Sequence, residues 1–433
     1  MLTSLYSMIG DYPGIFSLSD PGEAAWTIWY AESCGADGFL KWAYDAWCQE
    51  PLEDNAHPYF EAGDMFLVYP DDYRGKETGV RTTPRFQMLT EAVYDVCKLR
   101  QIRQESDRFR DAADRIVSST VSFYGLGASN GVGTNGFISA DDDTKEKLAQ
   151  EVIRLHQEVV QLSLEYDKEK QRIDFMKAID LPEAGRQCVL EYEMTETDYQ
   201  KWKNLFYKEE DAFFRKAETI KEKEKLYLYL YVRFAEDLGT AYKKIGIEDA
   251  VYYDTFSDIS IWFRHFLRQE GKPGIKEVQW LKLHLKQKLY RFGSLQFEAD
   301  LNTKSIHVHI PEGTLLETKA CEEAFVRAEA FFDGSYGTFD CDSWLLTPAL
   351  NEMLPEKSRI RSFQKLFQIT GVNPESRQSE ERVFGAVCED VSAYPECTTL
   401  QRALKKCLSE HKKVGSGFGI RKRRSNEVSP CRI

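Results

Sequence analysis

Apolar positions change their spacing along the chain, and each change predicts a change of architecture. Up to about residue 110 they come in short runs divided by Gly, Pro and acidic residues. "GFLKWAY" from Gly38 and "GDMFLVYP" from Gly63 have the form of short buried strands between turn residues. In "FQMLTEAVYDVCKLRQIRQESDRFRDAADRIV", from Phe86, the apolar Leu89, Val93 and Val96 fall near helical spacing among charges, which predicts one helix. The stretch "YGLGASNGVGTNGFISADDD" from Tyr124 is rich in Gly, Asn and Ser and predicts a flexible linker.

From Thr144 to about Asp174 a charged helix is expected, with Leu148, Ile153, Leu155, Val159, Val160 and Leu162 apolar. Helical character continues from Phe175 to about Leu267. Within it "LYLYLY", from Leu226, alternates as a strand would. A Lys/Glu run precedes it and "VRFAEDLGTAYKK" follows it helically, so a helix is predicted through it. After Gly293 the period becomes mixed. "SLQFEADLNTKSIHVHIP" holds two alternating runs around "DLNTK", a hairpin pattern. Next come a helix "TLLETKACEEAFVRAEAFF" capped by Thr314 or Thr318, a strand "FDCDSWLL" and a helix "SRIRSFQKLF". Strands "FQITGV" and "RVFGAV", a helix "TTLQRALKKCLSEHKK" capped by Thr398 or Thr399, and a closing "VGSGFGI" complete the pattern. Helices with antiparallel-looking strands make an α+β fold.

Composition narrows the function classes. Of 433 residues, 42% are hydrophobic and 13% aromatic, enough for real cores. A formal net charge of −13 disfavours nucleic acid and anionic membrane as partners. The N-terminal "MLTSLYSMIGDYPG" lacks the basic and apolar regions of a secretory signal. The most apolar window, "LYLYLYVRFA", is too short for a membrane span and carries Arg233. Ten cysteines form no CxxC pair and no zinc spacing, so no metal is expected. They read as reduced, mostly buried thiols of a cytoplasmic protein.

Two family resemblances follow. "AAWTIWYAESCGADGFLKWAYDAWCQEPLED", "GDMFLVYP" and "RTTPRFQMLTEAVYDVCKLR" resemble, in order, the C-terminal end of β-N-acetylgalactosaminidase-like enzymes of glycoside hydrolase family 123. The resemblance implies the last strands and helix of a (β/α) barrel, with the rest of the hydrolase missing. The catalytic Asp-Glu pair of that family lies on an earlier strand that has no counterpart here. Asp64, Asp71 and Asp72 do not stand in its place. Trp42, Tyr44 and Trp47 match aromatic positions near the sugar subsite. They are either a sugar platform or the part-buried aromatics of a barrel fragment.

"YDTFSDISIWFRHF", "LYRFGSLQFE", "IHVHIPEG", "CDSWLLTPALNEMLPEKSRIRSFQKLFQI" and "TTLQRALKKCLSEHKKVGSGFGI" resemble a bacterial two-domain family with a helical N-terminal domain and a GNAT-like C-terminal domain. The resemblance implies an acyltransferase that uses acetyl-CoA or another acyl-CoA as co-substrate. Its acceptor would be a small-molecule amine, and the neighbouring hydrolase-like segment suggests an amino sugar. The expected layout is a barrel fragment at 1–110, a linker and charged helix at 111–173, a helical domain at 174–260, a GNAT-like mixed α/β domain at 261–420 and a basic tail at 421–433.

Acyl transfer needs a cradle for pyrophosphate, a donor to the thioester oxygen and a base for the amine. The usual phosphate loop, Q/R-x-x-G-x-G/A, has no match in the expected position. Gly415, Gly417 and Gly419 follow a helix, the wrong order, and read better as a strand crossed closely by another backbone. Ser358, Arg359 and Arg361 open a helix between two strands, where cations oppose the helix dipole unless a phosphate sits there. They are either phosphate ligands or surface arginines paired with Glu352 or Glu356. His307 and His309 share one strand face, with Ile306, Val308 and Ile310 on the other. His309 matches the family motif and is the candidate base or acceptor-site residue. The alternative is a hydrogen-bonded structural histidine. Asp342 stands where relatives commonly have His. It either replaces that residue or marks lost activity, which leaves open a non-catalytic carbohydrate-binding scaffold. Cys341, Trp262 and Trp344 read as core residues.

Overall fold

The computed structural model describes residues 2–6, 12–41, 43–48, 50–54, 66–71, 79–129, 138–332 and 334–424. The chain divides into two compact units, Met1–Lys170 and Gln171–Ile433.

The first unit contains β1 (Ser4–Tyr6), α1 (Pro21–Ser33), β2 (Gly38–Leu40), β3 (Val68–Pro70), β4 (Val80–Thr82), α2 (Pro84–Glu105) and α3 (Asp107–Ser118). β5 (Ala128–Ser129), β6 (Ile138–Ser139) and most of α4 (Asp142–Ala178) complete it. The helix α1 starts at a capping box. Asp20 accepts from the first turn, Glu23 reaches back to the Asp20 N–H, and Pro21 takes the first helical position. The helix buries Trp26 and Trp29 completely.

Three sequence expectations change here. The helix predicted from Phe86 to Val117 is two helices, because Ser106 turns extended (φ −143°, ψ 113°). The break lets Ala113, Ile116 and Val117 join Val96, Leu99 and Ile102 in one apolar cluster with Trp26 and Trp29. Val93, expected in the stripe, is exposed instead. The segment read as a linker begins packed on α1 and the loop before it. The Tyr124 ring stacks on Tyr30 with centroids 5.9 Å apart, and Gly125 N–H donates to the Tyr12 carbonyl at 2.9 Å. Its middle, residues 130–137, lies outside the described residues. The run from Gly38 forms only β2, whose residues are half-buried or exposed.

The second unit starts with the end of α4 and continues as α5 (Glu183–Leu190), α6 (Glu196–Lys208), α7 (Glu210–Ala217), α8 (Lys223–Lys244), α9 (Asp249–Glu270) and α10 (Val278–Leu285). The alternating "LYLYLY" lies in α8 as predicted. Every residue from Leu226 to Ala235 is buried, so the helix has no solvent face there and its periodicity is hidden. Arg233, within that run, stacks 3.8 Å over the Tyr199 ring and donates to the Tyr229 hydroxyl.

A six-stranded sheet follows: β7 (Leu289–Phe292), β8 (Leu295–Asp300), β9 (Ser305–His309), then α11 (Thr318–Phe331), β10 (Thr338–Ser343), α12 (Leu350–Met353), α13 (Arg359–Gln364), β11 (Gln368–Asn373), α14 (Gln378–Phe384), α15 (Thr399–Ser409) and β12 (Ser416–Lys422). The spatial order is β11-β12-β10-β9-β8-β7. The predicted hairpin is β8–β9. One sheet face packs on α11: the Phe325 ring meets Phe297 and Phe339 edge-on, at 5.6 and 5.0 Å between centroids.

The predicted strand "RVFGAV" does not form: its first three residues, from Arg382 to Phe384, end α14, and Gly385 turns left-handed (φ +82°). Neither Thr314 nor Thr318 caps α11. Thr314 closes a turn with Pro311, Thr318 is already helical, and Glu317 holds the cap position without a side-chain bond. Thr398 does cap α15, through a full capping box with Gln401. Three of the nine described cysteines are buried, fewer than expected.

Candidate active site

All neighbouring strands of the large sheet are antiparallel except β9 and β10. This pair is joined by α11 as a crossover, and it is in register over only three couples: Ser305 with Thr338, Ile306 with Phe339, and His307 with Asp340. Beyond them β9 ends at His309, while β10 continues to Ser343 along β12. Sheets of this kind take ligands beyond the C-terminal ends of their parallel strands. His309 and Asp342 each stand two residues past the last couple, and alternation puts both on the face of His307 and Asp340. The structure therefore brings these two predicted residues to one end of one parallel pair.

That face is polar and its contacts are specific. His307 Nδ1 lies 2.5 Å from Asp340 Oδ1, and its Nε2 lies 3.5 Å from Asp300 Oδ2. Burial alone would push this imidazole down, but the Asp340 hydrogen bond and charge, with Asp300 and Glu298 near, hold it above its ordinary value. With a carboxylate at each nitrogen, His307 is suited to carry a charge rather than to accept a proton. His309 Nε2 lies 3.1 Å from Glu298 Oε2. The hydrogen bond from His309 is the main reason that the Glu298 carboxyl is held below its usual range. The Trp280 ring of α10 packs on His309 with centroids 4.8 Å apart.

Glu298, Asp300, Asp340 and Trp280 were not found from sequence. Glu298 and Asp300 alternate on β8 as the histidines do on β9, and that matching period was the available signal. Nothing local marked Trp280, which arrives from a different helix.

Other candidates are placed as follows. Ser358 has the extended backbone of a cap, but its hydroxyl makes no cap bond. Arg359 pairs with Glu317 at 2.7 Å, not with Glu352 or Glu356, and so reaches the start of α11. Arg361 donates to the Leu354 carbonyl at 3.2 Å and ties down the preceding loop. Cys341 is fully buried and its thiol is pushed up by burial, first, and by Asp340 and Asp342. Trp262 and Trp344 are part-buried against the main core. The three closing glycines lie at or in β12, between β10 and β11, as the close-crossing reading expects. A Cβ on Gly417 would sit 2.3 Å from the Leu346 carbonyl oxygen.

In the first unit, Tyr44 is half-exposed and meets Phe86 edge-on at 5.7 Å. Trp47 commits its indole N–H to the Val68 carbonyl at 2.7 Å. Trp42, Asp64 and Asp72 lie outside the described residues. Asp71 pairs with Arg81 on the surface. Among the described residues no three His, Cys, Asp or Glu side chains are grouped to hold a metal, and no helix is long and apolar enough to cross a membrane.

Comparison with known proteins bears on both units. Residues 170–287 match the N-acyltransferase N-terminal domain, and residues 289–421 match the GNAT-like C-terminal domain. The second unit has the two-domain build of a GNAT-like acyltransferase. Residues 2–102 match the catalytic domain of glycoside hydrolase family 123. No curated protein matches the chain at a significant level. Among solved structures, an acyltransferase in complex with decanoyl-CoA and teicoplanin is 20% identical, with a TM-score of 0.50. The match covers 66% of this chain and 97% of that one. An acyltransferase in complex with decanoyl-CoA is 16% identical at a TM-score of 0.50, covering 75% of this chain and 98% of that one. These likenesses show the fold of the second unit. A family 123 glycoside hydrolase from Clostridium perfringens is 29% identical over 38% of this chain and 28% of that chain, with a TM-score of 0.36.

Proposed function

We propose that the second unit transfers an acyl group from a coenzyme A thioester to the amine of a small molecule, with an amino sugar as the favoured acceptor class. The observation that carries this reading is the parallel pair β9/β10, which loses register beyond His307 and Asp340 and has His309, held by Glu298, at its open end. In the reaction the amine nitrogen attacks the thioester carbonyl, the C–N bond forms, the C–S bond breaks and the thiolate leaves as coenzyme A. His309 takes the proton from the amine, and Glu298 beside it stabilises the imidazolium that results. Asp342, at the end of β10, orients the incoming amine.

The pyrophosphate is assigned to the N-terminal end of α11, the crossover helix, whose first N–H groups have no side-chain cap. Arg359 and Ser358 stand as its further ligands, with Arg359 exchanging its Glu317 partner for phosphate. The bound acyl-CoA in solved acyltransferases of similar fold supports the choice of donor. Teicoplanin, a glycopeptide, in one of them supports an acceptor of sugar type. In this reading residues 1–110 are a barrel fragment without chemistry, 111–173 connect, 174–260 and 261–420 form the transferase, and 421–433 is a tail.

The test is to titrate the purified chain with acetyl-, octanoyl- and decanoyl-CoA and then follow thiol release with amino sugars. Saturable binding with acceptor-dependent release is expected. A folded chain that binds none of these thioesters would sink the proposal.

A further inference from the structure

Behind His309 lies a buried polar network that the proposed reaction does not use. Trp280, on α10, donates its indole N–H to Asp258 Oδ2 of α9 at 2.6 Å. The same carboxylate oxygen lies 3.4 Å from His284 Nε2, also on α10. His284 Nε2 in turn lies 3.3 Å from the Gln296 side-chain amide nitrogen on β8. Gln296 is the register partner of His309 across β8 and β9. The path thus leaves the sheet beside His309, runs through two helices and returns to His309 as the Trp280 ring.

Asp258, His284 and Gln296 are each at most 2% exposed. Burying an aspartate, an imidazole and an amide together is costly unless each group is paired. Burial keeps His284 neutral, since it pushes the imidazole down further than Asp258 lifts it. One product of the arrangement is a fixed indole plane. Trp280 is held at its nitrogen by a charge-assisted hydrogen bond and presents its ring to His309, with 72° between the ring planes. Glu298 fixes the other side of the same imidazole. His309 is therefore clamped between a carboxylate from the sheet and an indole from the helical half.

We infer that Trp280 is a positioning residue for His309, anchored by the buried Asp258–His284–Gln296 network, so that the helical half sets the aim of the proton acceptor. This rests on the proposed role of His309. A proton acceptor must meet its proton within hydrogen-bond reach, and a misplacement near 1 Å can cost on the order of a hundred-fold in rate.

The test uses Trp280→Phe in the full chain, which keeps an aromatic ring but removes the donor to Asp258. The expected result is a fall in kcat of roughly ten- to hundred-fold with acyl-CoA affinity within twofold of the parent. In a His309→Gln background the same substitution should cost nothing more, because the residue it aims is gone. Asp258→Asn, whose side-chain oxygen still accepts from the indole, should recover most of the rate that Asp258→Leu loses. Histidine NMR gives a readout independent of turnover: the His309 ring signals should shift in Trp280→Phe while those of His265 stay in place. A kcat within twofold of the parent, or an equal loss in the His309→Gln background, would overturn the inference. If His309→Gln itself keeps full activity, the proposed function fails, and unmoved His309 signals in Trp280→Phe would then separately reject the positioning role.

Discussion

His307 and Asp340 form the last registered couple of the parallel strands β9 and β10, with Nδ1 and Oδ1 2.5 Å apart. Asp340 is almost wholly buried, so its charge needs this partner. The pairing lifts the His307 imidazole above its unfolded value despite burial. A raised histidine contributes stability that is complete below the unfolded pKa of about 6.5 and is lost as pH rises through the folded value. Asp340→Asn should therefore destabilise the second unit more at pH 6 than at pH 9. Urea denaturation at the two pH values measures this, and an equal loss at both would remove the charge argument.

His309→Gln should lower acyl transfer by about 10² to 10⁴-fold, the usual worth of general base catalysis. Asp342 is exposed on an open strand end and makes no catalytic hydrogen bond in the structure, so Asp342→Asn should cost less. Thiol release under saturating acyl-CoA checks both. A larger loss for Asp342→Asn than for His309→Gln would reverse the roles.

Much of this site was legible because short-range patterns carry it. The His307/His309 alternation fixes which face they share, and Ile306 and Val308 are buried on the other face as that period requires. Thr398 was readable as a cap because a capping box needs only four consecutive residues. The failures are tertiary. The parallel pairing of β9 with β10 depends on the path of α11, and no alternation distinguishes parallel from antiparallel neighbours. Arg359 and Arg361 look equivalent in sequence, yet one reaches Glu317 and the other turns back to Leu354. The break at Ser106 follows from what α3 packs against, since the charges run through it without interruption.

Glu23 supplies a pH test of the first unit. Burial raises its carboxyl to about 7, against hydrogen bonds from the Gly14 and Asp20 N–H groups that lower it. A raised carboxyl means the folded state holds the proton more tightly, so its contribution is complete below the unfolded value and is lost as pH rises to about 7. Glu23→Gln cannot titrate. The variant should gain on the parent by on the order of 2 kcal/mol as pH rises from 4.5 to 8. Denaturation followed by the fluorescence of Trp26 and Trp29 would show it, and a pH-independent difference would contradict the buried-proton account.

Gly417 tests the close crossing on β12, the strand next to the β11 edge of the sheet. Its backbone pairs with Ser343 of β10 and Val372 of β11, so β12 is fixed on both edges. The Leu346–Thr347 backbone passes over it, leaving a Cβ only 2.3 Å from one carbonyl oxygen and 3.0 Å from the next amide nitrogen. Backbone held by two ladders cannot move aside as a flexible side chain would. Gly417→Ala should therefore cost about 1–3 kcal/mol, the usual range for overpacking. Gly371, on β11, is the control: its added Cβ would meet only the Phe418 Cβ, at an ordinary 3.7 Å. Gly371→Ala should change stability by less than about 1 kcal/mol. Equal stabilities for the two variants in chemical denaturation would show that the crossing relaxes freely and that the glycine is not required there.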